Sequence, residues 1–231
     1  MALRPVFSPI LSHEHCGAYE KLVDFKWHPG MATIQKQKSV RELHAAAHAQ
    51  GFKTLLEISS KSELDLGVQL SAFNLTFTTK KRHRITVESA FQASKVFKRG
   101  GPFTDLMLAD SRTAKKDIRL KESGALEGFQ FFGNSFPIKP RTIFYDWIYI
   151  NALAKNPELA EQVINYDGFT DIEFNPRKSI NCQAYSAALY VSLFQNGKLN
   201  EALDSFTNFS KVLEYHYENQ QRTINVQDSL I

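Results

Sequence analysis

The stretch VESAFQASKVF, from Val87 to Phe97, has the spacing of an amphipathic helix. Its apolar side recurs every three or four positions, which favours one buried helical face, at Val87, Ala90, Phe91, Ser94 and Phe97. Glu88, Gln92 and Lys95 follow at i, i+4 and i+7, so they form a polar stripe beside that face. Seven residues of helix rise roughly 10 Å, so Glu88 and Lys95 would meet at one ribose only if the lysine folded back. On an ordinary amphipathic helix this stripe would be a solvated border.

Further elements are predicted on both sides of this stretch. Helices are expected at Ser39–Gln50 (with a capping box from Ser39 to Glu42), Asp105–Ala109, Arg112–Arg119, Arg141–Ala154, Pro157–Ile164, Ile180–Phe194 and Asn200–Glu218. Strands are expected at Lys53–Ile58, Leu70–Thr79 and Gly168–Phe174. The first thirty residues contain Pro5, Pro9 and Pro29 and are predicted to be irregular. The pattern predicts an α+β fold, a helix-rich single domain with a small β-sheet.

The composition is that of an ordinary globular domain. The chain has 231 residues and a formal net charge of +4, a mild excess that permits a polyanionic partner without requiring one. Its two cysteines, Cys16 and Cys182, are too few for a disulfide framework, which favours a reducing compartment. Arg4, Pro5 and Pro9 interrupt any signal peptide, and no apolar run approaches the roughly 20 residues that cross a bilayer. We therefore predict a soluble cytoplasmic protein that does not bind membranes.

Five further motifs accompany this stretch along the chain in a fixed order. Around VESAFQASK lie SAFNL (71–75), SRTAKKDIR (111–119), YDWIYINALAKNPELAEQVI (145–164), GFTDIEF (168–174) and INCQAYSAALYVSL (180–193). In this order they resemble the motifs of the NADAR superfamily. Phe73 precedes Asn74 in the reverse of the family's commoner order, and the tryptophan-glycine pair common after the acidic strand is not evident around Phe174. The first seventy residues are similar to the branch encoded beside DarT-type DNA ADP-ribosyltransferase toxins.

This resemblance implies both a fold and an activity. It implies a NADAR-type α+β fold, with residues 1–70 as an N-terminal extension packed on a catalytic core of residues 71–231. Members of that branch are antitoxins that remove ADP-ribose from guanine bases of DNA. Glu88 is then the catalytic acid/base or electrostatic stabiliser, because breaking an N-glycosidic bond builds positive charge on the ribose. Lys95 is the nucleophile or substrate anchor, since a neutral lysine amine can form a Schiff base with a ring-opened sugar.

The same motifs imply the residues that bind substrate, which are Phe73, Asn74, Gln92, Arg112, Lys115, Asp171 and Asn181. Phe73 and Asn74 would stack and hydrogen-bond the nucleobase, and Arg112 would hold a pyrophosphate. Other roles stay open: Phe73 as a core aromatic, Gln92 as part of a polar border, and Lys115 in a surface salt bridge. Asp171 would hold a ribose hydroxyl or simply lie on a solvated strand face.

The run KKRHR, from Lys80 to Arg84, immediately precedes the Val87–Phe97 stretch. Four of its residues are predicted to contact DNA phosphates, namely Lys80, Lys81, Arg82 and Arg84, which would make binding dependent on salt. The alternative is an ordinary charged turn between a strand and a helix.

No cofactor and no metal are predicted. His13, His15 and Cys16 are metal-ligand types, yet no second pair with matching spacing exists, and the sequence has no glycine-rich phosphate loop or CxxC motif. The expected partners are ADP-ribosylated DNA, ADP-ribose and a DarT-type toxin, with direct contact to the toxin left open. Two other functions remain open: an N-glycosidase for a small phosphorylated metabolite of the riboflavin-pathway type, and a non-catalytic ADP-ribose- or toxin-binding protein.

Overall fold

The computed structural model describes residues 1–12, 14–176 and 179–220. Its first elements are β1 (Ala2–Pro9), β2 (Ala18–Phe25), α1 (Thr33–His48), β3 (Leu55–Glu57) and α2 (Asp65–Gln69). The middle contains β4 (Thr76–Thr78), β5 (Arg84–Thr86), α3 (Val87–Ala93), β6 (Lys95–Phe97), a 3-10 helix (Thr104–Leu108), α4 (Ser111–Lys116), α5 (Arg119–Glu122), β7 (Leu126–Phe131), β8 (Asn134–Phe136) and α6 (Ile143–Ala154). The last part contains α7 (Pro157–Val163), β9 (Gly168–Thr170), α8 (Gln183–Gln195), α9 (Leu199–Asp204), α10 (Phe206–Val212) and α11 (Glu214–Glu218). The predicted helix-rich α+β class with small sheets is confirmed.

The described residues fall into two units. The first unit contains residues 1–71 and 157–220, and the second contains residues 72–156. The predicted division into an extension and a core at residue 70 stays a prediction, because the two units group residues by their contacts and not by ancestry. No helix within the described ranges is long and apolar enough to cross a membrane.

The first unit is built on a four-stranded sheet with the order β2-β1-β9-β3. β1 and β2 form a long antiparallel hairpin that pairs Ala2 with Phe25 and Pro9 with Ala18. β3 and β9 run parallel, and β9 joins β1 through the pair Phe7 and Phe169. Helix α1 packs on β2, and α8 packs on β1 and β9. Helix α1 and the sheet contribute to one buried apolar cluster, which consists of Val6, Val23, Phe25, Val40, Leu43, Ala47, Leu55 and Ile172.

The second unit places an aromatic core between helices and a three-stranded antiparallel sheet with the order β6-β7-β8. The rings of Phe129 and Phe144 stack with centroids 4.5 Å apart, and Phe91 meets Tyr145 edge-to-face at 5.2 Å. Such pairs contribute about 0.5–1.5 kcal/mol each beyond their burial. All seven residues of α3 are buried, so the polar side chains on this helix do not form a solvated border.

The predicted helix from Val87 to Phe97 is too long. Helix α3 begins as expected after Thr86, whose side chain accepts a hydrogen bond from the Ser89 N–H, but it ends at Ala93. The Gln130 N–H of β7 donates to the Ser94 carbonyl at 2.7 Å, and the next three residues pair with β7 as strand β6. Lys95 is therefore the first residue of a strand and not a helical residue.

The N-terminal thirty residues were predicted to be irregular, and this is wrong. Proline disfavours central strands because it cannot donate to the ladder. Strand β1 nevertheless carries Pro5 and Pro9, because among the described residues it pairs along its length with β2 and meets β9 at the single residue Phe7. The hairpin of β7 and β8 was not predicted either.

Other element bounds also differ from the predictions. Helix α1 starts at Thr33, and Ser39 lies inside it, donating to the Gln35 carbonyl instead of capping the helix. The predicted strands at Leu70–Thr79 and Gly168–Phe174 are limited to β4 and β9.

Two predicted helices are interrupted. Asp117 separates α4 from α5, and its carboxylate accepts the Arg119 N–H. The final helix, predicted at Asn200–Glu218, is divided into three, with extended Ser205 capping α10.

Candidate active site

The backbone around the start of α3 is held by the segment that precedes β4. The Val87 N–H donates to the Leu75 carbonyl and the Glu88 N–H donates to the Ala72 carbonyl, each at 2.9 Å. Ser111, the first residue of α4, donates its hydroxyl to the Phe73 carbonyl at 3.0 Å. The SAFNL segment, α3 and α4 are thus joined at one place, and each of the three carries a residue that was predicted to act on substrate.

Glu88 lies where the SAFNL segment, α3 and α4 meet. Its side chain is buried, and its Oε1 accepts a hydrogen bond from Gln92 Nε2 at 2.9 Å. The same Oε1 lies 3.5 Å from Lys115 Nζ. Within the part of the chain that the structure describes, Oε2 has no hydrogen-bond partner. A buried carboxylate with one oxygen held and one oxygen free is suited to accept a proton or to face a developing positive charge.

Lys95 approaches the same carboxylate from β6. Its Nζ lies 4.8 Å from the centroid of the Phe91 ring, and it interacts electrostatically with both Glu88 and Lys115. Burial, reinforced by the charge of Lys115, lowers the pKa of Lys95 to about 8, although Glu88 opposes the shift. The rise of a continuous helix does not set the separation of Glu88 and Lys95, because α3 ends before Lys95. A large share of this lysine is neutral near physiological pH, as a nucleophilic amine requires.

Lys115 and Phe73 complete the cluster. Lys115 Nζ, besides facing Glu88, lies 4.9 Å from the centroid of the half-buried Phe73 ring. The site therefore combines a carboxylate, two amines, an amide and an aromatic ring, all within the second unit. Of the predicted site residues, the structure brings together Phe73, Glu88, Gln92, Lys95 and Lys115; their roles remain predictions.

Two further predicted residues lie beside these elements with exposed side chains. Asn74 follows Phe73 and is exposed, and Arg112 is exposed in the first turn of α4. The Arg112 backbone N–H is already taken by the Asp110 side chain at 3.0 Å. A role for Arg112 therefore falls to its guanidinium.

The predicted DNA-contacting run forms the tip of the β4–β5 hairpin. Lys80, Lys81, Arg82, His83 and Arg84 are all exposed. The Arg82 N–H donates a hydrogen bond to the Thr79 carbonyl, which closes the turn, and Arg82 adopts a φ of 63°. Arg84 donates to the Thr76 hydroxyl at 2.7 Å. The run is thus a turn within a strand hairpin, and it presents a concentrated positive charge.

Asp171 and Asn181 belong to the first unit and not to the unit that carries Glu88. Asp171 is buried, and its Oδ1 accepts the N–H groups of Glu173 and Phe174. Burial and the charge of Glu57 raise the pKa of Asp171 well above its ordinary value. Asp171 is thus not on a solvated strand face. The Oδ1 of Asn181 is buried and has no hydrogen-bond partner among the described residues.

Glu57, which sequence reasoning missed, is the buried partner of Asp171. It accepts hydrogen bonds from Ser59, Thr170 and the Ile172 N–H at 2.6 to 2.8 Å, and burial raises its pKa. Its signal was an acidic residue inside the apolar run LLEI. Glu57 also lines a pocket of about 380 Å³ in the first unit, together with His44, His48 and Glu63.

A metal site finds no support in the described ranges, where no group of three His, Cys, Asp or Glu residues is arranged to hold a metal ion. His13, one of the three ligand types noted near the N-terminus, lies outside the described residues.

Comparison with known proteins identifies the family. A family model described as DarT1-associated NADAR antitoxin matches residues 2–223. No curated protein is significantly similar to the chain. The resemblance drawn from the ordered motifs is confirmed, and the match supports an antitoxin role, glycosyl-hydrolase-type chemistry and a DarT-type toxin as partner.

Proposed function

The chain belongs to the DarT1-associated NADAR antitoxin family, and on this basis we propose that it removes ADP-ribose from guanine bases of DNA. The reaction is hydrolysis of the N-glycosidic bond between the ribose and the base, and it reverses the modification made by a DarT-type toxin. The observation that carries the proposal is the electrostatic interaction of buried Glu88 with Lys95, whose pKa is lowered to about 8. A carboxylate beside a partly neutral amine suits attack at an anomeric carbon.

Glu88 handles protons and charge. As the bond from the anomeric carbon to the base nitrogen breaks, its electron pair stays on the base, which takes up a proton. The positive charge that develops on the ribose faces the Glu88 carboxylate, whose Oε1 is held by Gln92 while Oε2 is available. A water that adds to the anomeric carbon gives one proton to this carboxylate, which passes it on through solvent, so that the ribose gains the hydroxyl and the base gains the proton of a single water. The products are free ADP-ribose and an unmodified base.

Lys95 provides a covalent route to the same products. An N-glycoside made through an exocyclic amine opens to an imine at the anomeric carbon. The neutral Lys95 amine adds to that carbon, and the base amine leaves with a proton, so that a lysine Schiff base replaces the original imine. Water then hydrolyses the Schiff base and releases the sugar aldehyde and the free lysine. Burial and the charge of Lys115 keep part of Lys95 neutral. Lys115 lies beside Phe73, to which we assign stacking on the base.

The test uses oligonucleotides ADP-ribosylated on guanine or on thymine, with release followed by mass spectrometry. Wild type is expected to restore guanine, whereas Glu88→Gln and Lys95→Met lose at least about a hundredfold in rate, as expected for loss of an acid/base group or nucleophile. Lys121→Ala, which removes an exposed lysine of the same unit, serves as the control and retains full rate. Borohydride added during turnover is expected to attach ADP-ribose to Lys95 and to no other lysine.

Three outcomes would contradict the proposal. Activity on thymine alone would assign a different base. No release from either oligonucleotide, with turnover of a small phosphorylated N-glycoside instead, would make the protein a metabolite glycosidase. Binding of ADP-ribose without turnover of any substrate would make it a reader, and a stable complex with the toxin would then indicate neutralisation by contact.

A further inference from the structure

Phe132 is an exposed aromatic residue held in an unfavourable backbone conformation. It lies at the tip of the β7–β8 hairpin, where Phe131 pairs with Asn134 and leaves a two-residue turn. Its φ is 47° and that of Gly133 is 82°, the pair of positive angles for which Asn-Gly is the preferred sequence. The Phe132 side chain is 58% exposed. Turn geometry does not account for a phenylalanine at this position, and the contact of its ring with Phe131 leaves more than half of the residue exposed, which indicates a role in contact with another molecule.

Strand β7 leads from the residue opposite Lys95 to Phe132 at the hairpin tip. Lys95 pairs directly with Phe129 of β7, and Phe132 follows three residues later. At about 3.3 Å per residue, the tip lies roughly 10 Å beyond Lys95 along β7. Successive nucleotides of a fully stacked strand are about 3.4 Å apart along the helix axis, and those of an extended single strand are further apart. A neighbour at most about three positions from a nucleotide bound at Lys95 could therefore reach Phe132.

The basic turn of residues 80–84 is joined to the same hairpin. Phe131, adjacent to Phe132, meets Phe77 of β4 edge-to-face with ring centroids 6.2 Å apart, and β4 leads directly into the basic turn. The ring centroids of Phe131 and Phe132 lie 4.3 Å apart. An exposed ring for a base and a cluster of cations for phosphates are the two components that single-strand binding surfaces combine.

We propose that Phe132 stacks on an unpaired base flanking the modified nucleotide, so that the preferred substrate is single-stranded DNA. This inference rests on the proposed function, since it assigns the strand on which the same site acts. Stacking requires a base face that is free of its neighbour, and a base within a duplex does not offer one without unstacking. The basic turn supplies affinity that is independent of sequence, and Phe132 supplies the preference for unpaired bases.

The first test measures binding alone, by fluorescence anisotropy with an unmodified single-stranded oligonucleotide and its duplex. Phe132→Asn is the informative variant, because asparagine tolerates a positive φ and preserves the turn while removing the ring. It is expected to bind the single strand roughly 5- to 150-fold more weakly than wild type, the range found for loss of one base-aromatic stack. Phe132→Trp is expected to retain binding. Phe194→Ala, which removes an exposed phenylalanine of the first unit, is expected to have no effect.

The second test separates this inference from the proposed function. Phe132→Asn is expected to lower kcat/KM on an ADP-ribosylated oligonucleotide by the same factor, while turnover of an ADP-ribosylated guanosine nucleoside is unchanged. Weaker binding by Phe132→Asn without turnover by wild type would uphold the stacking role and reject the enzymatic proposal. Turnover by wild type with unchanged single-strand binding by Phe132→Asn would overturn the stacking role. Equal losses on single strand and duplex would also overturn it.

Discussion

The pKa of Lys95 should lie far below that of an ordinary lysine, and its two charged neighbours should shift this pKa in opposite directions. A shift from the ordinary value of 10.5 to about 8 corresponds to about 3.4 kcal/mol in favour of the neutral amine. At pH 7.5 about a quarter of Lys95 is then neutral, compared with about one part in a thousand for an exposed lysine. Because Lys115 lowers this pKa and Glu88 raises it, Lys115→Met should raise the pKa of Lys95 and Glu88→Gln should lower it.

The pKa can be measured without any assumption about function. An amine-reactive reagent applied across a pH series, followed by peptide mass spectrometry, gives the midpoint at which each lysine becomes reactive. The exposed Lys121 provides the reference within the same unit. A Lys95 midpoint equal to that of Lys121, or a midpoint that falls in Lys115→Met, would refute the electrostatic reasoning. Lys95→Arg should abolish activity while preserving the charge, since the arginine side chain stays protonated.

Three further predictions concern binding and stability. Replacing Lys80, Lys81, Arg82 and Arg84 together by alanine should weaken the salt dependence of single-stranded DNA binding. The slope of log affinity against log salt should fall in magnitude by about 0.7 for each phosphate that is no longer neutralised. An unchanged slope in anisotropy titrations would argue against phosphate binding there. His216 is buried and shares a hydrogen bond with the Tyr185 hydroxyl, and burial lowers its pKa to about 4. The neutral ring therefore stabilises the fold above about pH 6.5, and this stability is lost as the pH falls towards 4. In urea unfolding, His216→Phe should reduce the acid slope by about 1.4 kcal/mol per pH unit, and an unaltered slope would contradict the burial effect. Gly67→Ala should destabilise the protein by several kcal/mol, because a Cβ would lie 2.0 Å from the Glu57 carbonyl oxygen. Gly51→Ala, where the Cβ would meet open space but the φ is positive, should cost about 1–2 kcal/mol. Equal losses of stability in thermal unfolding would contradict the steric account.

The beginning of α3 could be predicted from the sequence, but its end could not. The start depends on local signals, namely the Thr86 cap and the apolar spacing that follows it. The end depends on Gln130, which lies 36 positions after Ser94. The Gln130 N–H binds the Ser94 carbonyl, next to the strand pair that follows. No window around residues 87–97 contains that information. The sequence therefore indicated Glu88 and Lys95 as a pair, while their mutual approach could be understood only from the strand pairing.

Prolines and isolated acidic residues misled the sequence reasoning for a related reason. Pro5 and Pro9 are evidence against a central strand, yet β1 needs few donors on the edge that faces β9. Glu57 interrupts an apolar run, and its one nearby donor in the sequence among the described residues, Ser59, does not show that the carboxylate is buried. Its hydrogen-bond donors include Thr170 and the Ile172 N–H, more than a hundred positions away.

The arrangement of the two units bears on the order in which a ribosome delivers their parts. Among the described residues, the second unit is one uninterrupted segment, residues 72–156, so the described surroundings of Glu88 are synthesised before α7. The four-stranded sheet cannot be completed until later in synthesis, because β9, which lies between β1 and β3, comes from residues 168–170. We expect a nascent chain stalled before Gly168 to contain a formed lysine-carboxylate site and an unfinished sheet. Translation that stops early would thus produce a fragment with exposed strand edges, which is a form prone to aggregation and rapid degradation.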